Sequence, residues 1–213
     1  MSAAFAPCIV GRSSSHFTRL TRVFALELGM DCAFEPVFDL TSLDTVDYAG
    51  NPALKLPVLR LGGAMILGAE NICRRLAELA PGHPRIVWPE DMRDVDASNA
   101  QELVWHAMQA QVQLGLGTQI AGLPADSIYF VKAATGLRNA LEWLDEKVPS
   151  VIAALPPHDI SVLEVSLFCL IEHLAFRATM ALEPYGRLNA FARGFGMRAS
   201  AQATPYRFDA PVA

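Results

Sequence analysis

Asn51-Pro52-Ala53-Leu54-Lys55-Leu56-Pro57-Val58-Leu59 is the stretch on which the reading of the N-terminal half turns. Pro57 has no amide hydrogen, so it suits the opening of a strand and not its interior. It also pushes Leu56 into an extended conformation. If the Leu56–Pro57 bond is cis, the Leu56 N–H and C=O face outward, and a peptide-like ligand can pair with them as an added strand. An ordinary trans proline at a strand start is the alternative. Downstream, Val58 to Leu61 and Ala64 to Leu67 read as two strands joined by Gly62-Gly63, a hairpin signal. Gly68 to Leu79 follows as a helix closed by Pro81.

Upstream, Pro7 to Gly11 reads as a short strand and Ser15 to Gly29 as a helix. Phe17, Leu20, Phe24 and Leu28 fall on one helical face, and Gly29 is a natural stop. Ala33 to Phe38 is a second strand, and Thr41 to Gly50 an irregular stretch with room for a short helix. Two strands joined by a helix imply a parallel, right-handed crossover. The predicted order is β-α-β-(α)-β-β-α.

Pro81-Gly82-His83-Pro84 and Trp88-Pro89 then break the chain. The expected domains are residues 1–82, a linker at 83–93, and an all-helical domain at 94–213. Ser98 to Leu114 and Ser127 to Val148 read as long helices, the latter striped by Ala134, Leu137, Leu141, Leu144 and Val148. Ser161 to Arg177 is apolar on nearly every face and should be buried all round. Ser161 and Glu164 form an S-x-x-E capping box before it, with Ile160 and Val165 as a hydrophobic staple.

Composition narrows the function classes. The 213 residues are 52% hydrophobic and 18% charged, enough for a sizeable core. Seventeen Lys+Arg against 22 Asp+Glu give a net charge of -5, which argues against a nucleic-acid partner read through a basic surface. Mean hydropathy is +0.27. Arg60, Glu70, Glu164 and Glu172 nevertheless keep every apolar run short of the ~18 residues a membrane-spanning helix needs. Met1 to Val10 has no positive region before an apolar stretch and does not read as a secretory signal. No membrane partner and a cytoplasmic location are expected. Cys8, Cys32, Cys73 and Cys169 show neither CxxC nor metal-finger spacing, so no metal is expected and buried thiols are the simplest reading.

The chemistry-bearing stretch is Gly11-Arg12-Ser13-Ser14-Ser15-His16, between the first strand and the first helix. Hydroxyls and backbone N–H groups at a helix N-terminus make an anion place. A thiolate is such an anion, and a hydroxyl donating to it lowers the thiol pKa. Serines that only cap the helix are the simpler reading of the same residues. A Ser15–His16 catalytic pair is weaker, since no acid partner is indicated.

In order along the chain, these pieces resemble the glutathione S-transferase superfamily. Asn51-Pro52-x-x-Lys55-Leu56-Pro57-Val58-Leu59 is similar to its N-P-x-G-K-V-P-x-L signature. Arg19-Leu20-Thr21-Arg22-Val23-Phe24-Ala25-Leu26-Glu27-Leu28-Gly29 is similar to its bacterial R-K-V-R-V-x-L-x-E-x-G helix. Ile72-Cys73-Arg74-Arg75-Leu76 resembles an I-x-x-Y-L run, and Arg198-Ala199-Ser200 with Thr204-Pro205 an R-P-S…T-x-P ending. The resemblance implies an α/β thioredoxin-like N-terminal domain followed by an all-α C-terminal domain. It implies glutathione as co-substrate, a homodimer, and conjugation of the glutathione thiolate to a small hydrophobic electrophile.

On that resemblance Ser15 faces the glutathione sulfur, with Ser13 and Ser14 as fallbacks, and Lys55, Leu56 and Pro57 hold the peptide. His16 stands where the family often has Pro. Gly68-Ala69 stands where it has Glu or Asp followed by Ser to grip the γ-glutamyl group; Glu70 and Asn71 reach that position only if the helix begins two residues later. Leu54 replaces the family's Gly. Trp105, His106 and Met108 on the first long helix are candidates for lining an electrophile pocket, or simply core. The alternative is a non-catalytic binding or scaffold relative that has lost tight glutathione binding. A thiol-disulfide reductase ranks third, because the position needing Cys reads Ser15.

Overall fold

The computed structural model describes residues 6–210. Residues 1–5, where the leaderless reading of Met1 to Val10 begins, and 211–213, at the end of the expected second domain, lie outside the described residues. The chain forms two compact units. One comprises residues up to Pro84 together with those from Met197 onward, and the other Arg85–Gly196. The continuous part of the first unit ends at Pro84, within the stretch 83–93 where a linker is expected, and Arg85 onward groups with the second unit. Residues from Met197 onward, within the expected 94–213 domain, group with the first unit.

The first unit is a four-stranded mixed sheet in the order β2-β1-β3-β4. β1 (Cys8–Gly11) pairs parallel with β2 (Ala33–Pro36) and antiparallel with β3 (Val58–Leu61). β4 (Ala64–Leu67) closes the β3 hairpin. Gly62 and Gly63 have φ of 55° and 85°, the left-handed pair that a two-residue hairpin turn demands. α1 (His16–Glu27) is the crossover between the parallel strands β1 and β2, and α2 (Ala69–Leu79) packs against it. Leu20, Phe24 and Leu28 of the α1 face are buried with Ile9, Val10, Val58, Leu59, Ile72 and Leu76. Each such side chain contributes roughly 1.5–3 kcal/mol on leaving water. The irregular stretch after β2 holds one 3-10 turn, Thr45–Tyr48.

The C-terminal segment is clasped to α1 by the charged residues of the Arg19–Gly29 stretch. Arg19, 4% exposed, donates from Nη2 to the Ala201 carbonyl at 3.2 Å and from Nε to Thr204 Oγ1 at 3.5 Å. Its guanidinium carbon also stands 4.4 Å from the Tyr206 ring centroid. At the other end of α1, Glu27 accepts from Arg198 Nη1 at 2.7 Å and from Ser200 Oγ. The short helix α7 (Ala199–Gln202) therefore lies along α1.

The second unit is built on α3 (Val95–Leu114), α4 (Ile128–Ala154), α5 (Val162–Arg177) and α6 (Gly186–Phe195). α3 begins earlier than expected because Asp94 caps it, accepting from the Ala97 N–H at 2.9 Å. α4 runs beyond Val148 through Pro149, which is exposed. A π-helical turn, Gly115–Ile120, follows α3. α5 is buried along nearly its whole length, as its all-round apolar sequence predicts.

Two details differ from the expectation of continuous helix. A two-residue parallel ladder joins β5 (Ile86–Val87) to β6 (Ile160–Ser161), directly before α5. Only half of the predicted capping box forms: Ser161 Oγ accepts from the Glu164 N–H at 3.5 Å, while the Glu164 carboxylate pairs with His158 Nε2 at 2.6 Å. A nearby imidazole offers the carboxylate a stronger partner than the amide of a residue already in a strand.

Candidate active site

Gly11 ends β1 against α1. A Cβ built there would lie 2.5 Å from Thr18 Oγ1, so glycine is required by the close approach of strand and helix. The chain then turns through three serines. Ser15 is the N-cap of α1, with φ -105° and ψ 128°, and its Oγ accepts from the Thr18 N–H at 3.3 Å. Ser14 is buried, and its Oγ accepts from Arg12 Nε at 3.4 Å. Arg12 also donates from Nη1 to the Phe38 carbonyl at 2.8 Å, tying the loop to the segment after β2. The Ser13 N–H donates to Asp209 Oδ2 at 2.7 Å. Ser13 Oγ is buried with no hydrogen-bond partner among the described residues. Of the three serines only Ser15 is half-open to solvent. His16 is buried, its ring 4.6 Å from that of Phe17.

The second place is the turn into β3. The Leu56–Pro57 bond is cis. Buried Asn51 shapes the turn from within: Oδ1 accepts from the Ala53 N–H at 2.9 Å and Nδ2 donates to the Lys55 carbonyl at 2.6 Å. Leu54 has φ 52°, a left-handed conformation in which glycine is the less strained residue. Lys55 is exposed, Pro57 buried and Leu56 half-buried. Among the described residues no hydrogen bond engages the Leu56 N–H or C=O. Val10 pairs with Val58, so one more step of that register sets Gly11 beside Pro57. The serine loop and the Leu56 peptide thus lie at the same end of adjacent strands.

The third place is the start of α2. Gly68 is its N-cap, with φ 86° and no side-chain cap bond, and Ala69 is its first residue. The helix does not start two residues later, so the condition under which Glu70 and Asn71 would take over the γ-glutamyl grip is not met. Glu70 is engaged by Arg74 of its own helix at 2.7 Å, and Asn71 Nδ2 by the Leu67 carbonyl at 3.1 Å.

Elsewhere, Cys73 and Cys169 are buried and Cys8 and Cys32 half-buried. Burial, with Asp31 and Cys8 beside it, pushes the Cys32 thiol up to about 11, so it stays protonated at neutral pH. Burial also holds the Arg22 guanidinium below its ordinary range, with Arg207 and Arg19 adding to the effect and Asp209 opposing it. Among the described residues no group of three or more His, Cys, Asp or Glu is arranged to hold a metal ion, and no helix is long and apolar enough to cross a membrane. On α3, Met108 is core, Trp105 is half-buried and His106 is exposed. Sequence reasoning missed Asp209, whose place beside Ser13 has no local signal in a segment 196 residues away.

Residues 10–84 match the family model for the glutathione S-transferase N-terminal domain. Solved structures extend the likeness over both units. A glutathione transferase family member from Pseudomonas fluorescens Pf-5, with bound glutathione, is 21% identical with a TM-score of 0.78, over 94% of this chain and 99% of that one. The chain has the glutathione S-transferase fold. The same fold appears in a glutathione S-transferase from Methylobacillus flagellatus KT with glutathione bound, at 20% identity and a TM-score of 0.75, over 94% and 100% of the two chains. A third, from Methylobacterium radiotolerans JCM 2831 in complex with glutathione sulfonate, is 17% identical with a TM-score of 0.76, over 97% and 98%. No curated protein matches the chain. In this glutathione S-transferase fold, the expected thioredoxin-like domain and the helical domain are both present.

Proposed function

We propose that the protein is a glutathione transferase: it binds glutathione in the first unit and transfers its sulfur to a small hydrophobic electrophile. The observation that carries this reading is the juxtaposition of a half-open Ser15 hydroxyl at the α1 N-terminus with the unpaired Leu56 peptide at the same sheet end. The Leu56 N–H and C=O pair with the cysteinyl backbone of the tripeptide as an added strand. That register carries the thiol toward Ser15. The Ser15 hydroxyl and the helix dipole favour the thiolate, and the thiol proton leaves to solvent. The thiolate sulfur then forms a C–S bond to the electrophilic carbon, whose leaving group departs with the bonding pair. Proximity and a lowered thiol pKa supply the acceleration.

Calorimetric titration with glutathione tests binding, and saturable heat is expected. Ser15→Ala should keep most of that binding while turnover with an aryl halide falls about 100-fold or more. Unchanged turnover rejects the assignment of Ser15. A homodimer accompanies this reading, checked by sedimentation equilibrium.

The bare α2 start favours a second reading, a non-catalytic relative. Glutathione loses there the charge-assisted contact that Glu or Asp would make, typically ~1.5–3 kcal/mol or one to two orders of magnitude in affinity. Saturable glutathione binding without turnover of any electrophile selects this reading over the first.

A further inference from the structure

Asp209 stands where a ligand anion is expected. Its Oδ2 accepts the Ser13 N–H at 2.7 Å, and its side chain is only 6% exposed. A carboxylate is withdrawn from water to that degree only where donors and cations receive it. Here they are the Ser13 amide, Arg207 Nε at 3.5 Å from Oδ1, and the nearby Arg22 guanidinium. Beside the occupied amide, Ser13 Oγ is 3% exposed and has no hydrogen-bond partner among the described residues. The loop thus holds one anion already and keeps an unused buried donor next to it. The segment that brings Asp209 there is anchored upstream, by Arg19 to Ala201, Thr204 and Tyr206. Between the Tyr206 anchor and Asp209, Arg207 and Phe208 are exposed. The α7 clasp itself does not involve Asp209.

We propose that the C-terminal strap gates the site: the Asp209 carboxylate is an internal anion at the mouth of α1, and an incoming thiolate must compete with it. The proposal rests on the glutathione reading above and adds a control to it. Two negative charges sharing one mouth disfavour each other, so Asp209 weakens a ligand whose sulfur end is anionic and leaves one uncharged there nearly untouched.

The test uses the full chain, its Asp209→Asn and Asp209→Ala variants, and two probes, glutathione sulfonate, negatively charged at the sulfur position, and S-methylglutathione, uncharged at that position. Asn keeps an acceptor oxygen for the Ser13 N–H while removing the charge, so it decides the matter even if the Ala variant fails to fold. Expected is a sulfonate affinity about tenfold tighter in both variants, with S-methylglutathione changed by less than about twofold. Equal sulfonate binding by wild type and Asn variant overturns the gate and leaves the transferase reading standing. Weaker sulfonate binding by the Asn variant also overturns it, by making Asp209 a supporting group. Absence of binding of either probe to any of the three proteins overturns both readings.

Discussion

Helices α1 and α2 of the first unit begin in opposite ways. α1 starts inside a dense set of donors and acceptors: a serine cap, two further buried serines, an arginine-tied loop and a carboxylate brought from the far end of the chain. α2 starts on a glycine with positive φ, without a side-chain cap, and its first polar side chains are spent within the helix or the preceding turn. Both starts are helix N-termini, whose first-turn N–H groups have no partner within the helix. The difference lies in the side chains around them. On the proposed reading, the sulfur end of the tripeptide meets side chains at α1, while its γ-glutamyl end meets backbone alone at α2.

The largest test of that contrast removes what holds the C-terminal segment on α1. Arg19→Ala should cost about 3 kcal/mol in urea denaturation, since it removes two buried hydrogen bonds to the C-terminal segment and leaves a void under Tyr206. Arg19→Lys should recover less than half, because an ammonium cannot serve both acceptors and stack at once. A cost below about 0.5 kcal/mol for Arg19→Ala means that the clasp adds little to the fold.

Next in size is Gly11→Ala, expected to cost about 2 kcal/mol because its Cβ meets the buried Thr18 side chain. Pairing it with Thr18→Ala should give a double variant more stable than the sum of the two single losses. Strict additivity would show that strand and helix do not meet there.

Smaller effects compare the two helix starts directly. Ser15→Ala should lower stability by about 1 kcal/mol through the lost cap. Ala69→Ser puts a hydroxyl at the bare start of α2, where one added hydrogen bond is worth about 1 kcal/mol, roughly fivefold in glutathione affinity by calorimetry. Unchanged affinity would place the γ-glutamyl group elsewhere.

The smallest effect concerns an exposed counterpart of the Arg19 clasp. In the second unit Arg85 grips Asp159 with side chain and backbone N–H, and these bonds hold the carboxyl down to about 2. A depressed carboxylate pKa stabilises the fold above its unfolded value and loses that contribution as pH falls. The Asp159 contribution should therefore be constant from neutral pH to about 4 and fade toward about 2. Asp159→Asn should flatten that part of the stability profile measured by thermal melts. Salt should weaken the pair, while leaving the buried Arg19 contacts almost unchanged.

The alternation of short strands and helices in the first unit was legible because each element carries its own punctuation. Gly62-Gly63 announced the hairpin, Gly29 the end of α1, and Pro57 the start of β3. The α1 mouth was legible for the same reason, since Ser15 caps the helix that its position predicts. What escaped was non-local. The β5–β6 ladder is two residues long on each strand and has no periodicity to detect. Glu164 looked like half of a capping box, and only the folded chain shows His158 within reach of it. The role of Arg19 and Glu27 was hidden as well, because their partners lie more than 170 residues away.

By itself, then, the sequence determined the local geometry: where chains turn, which faces are apolar, and which hydroxyls crown the first helix. Backbone sterics and hydrophobic periodicity act over a few residues, so one sequence suffices to read them. Tertiary structure alone decided which distant groups complete the sites. It sent the final segment back to the first unit, put a carboxylate against the Ser13 amide, and left the Leu56 peptide without a hydrogen-bond partner among the described residues. Those outcomes depend on burial and charge compensation summed over the folded unit, and no short stretch of chain encodes them.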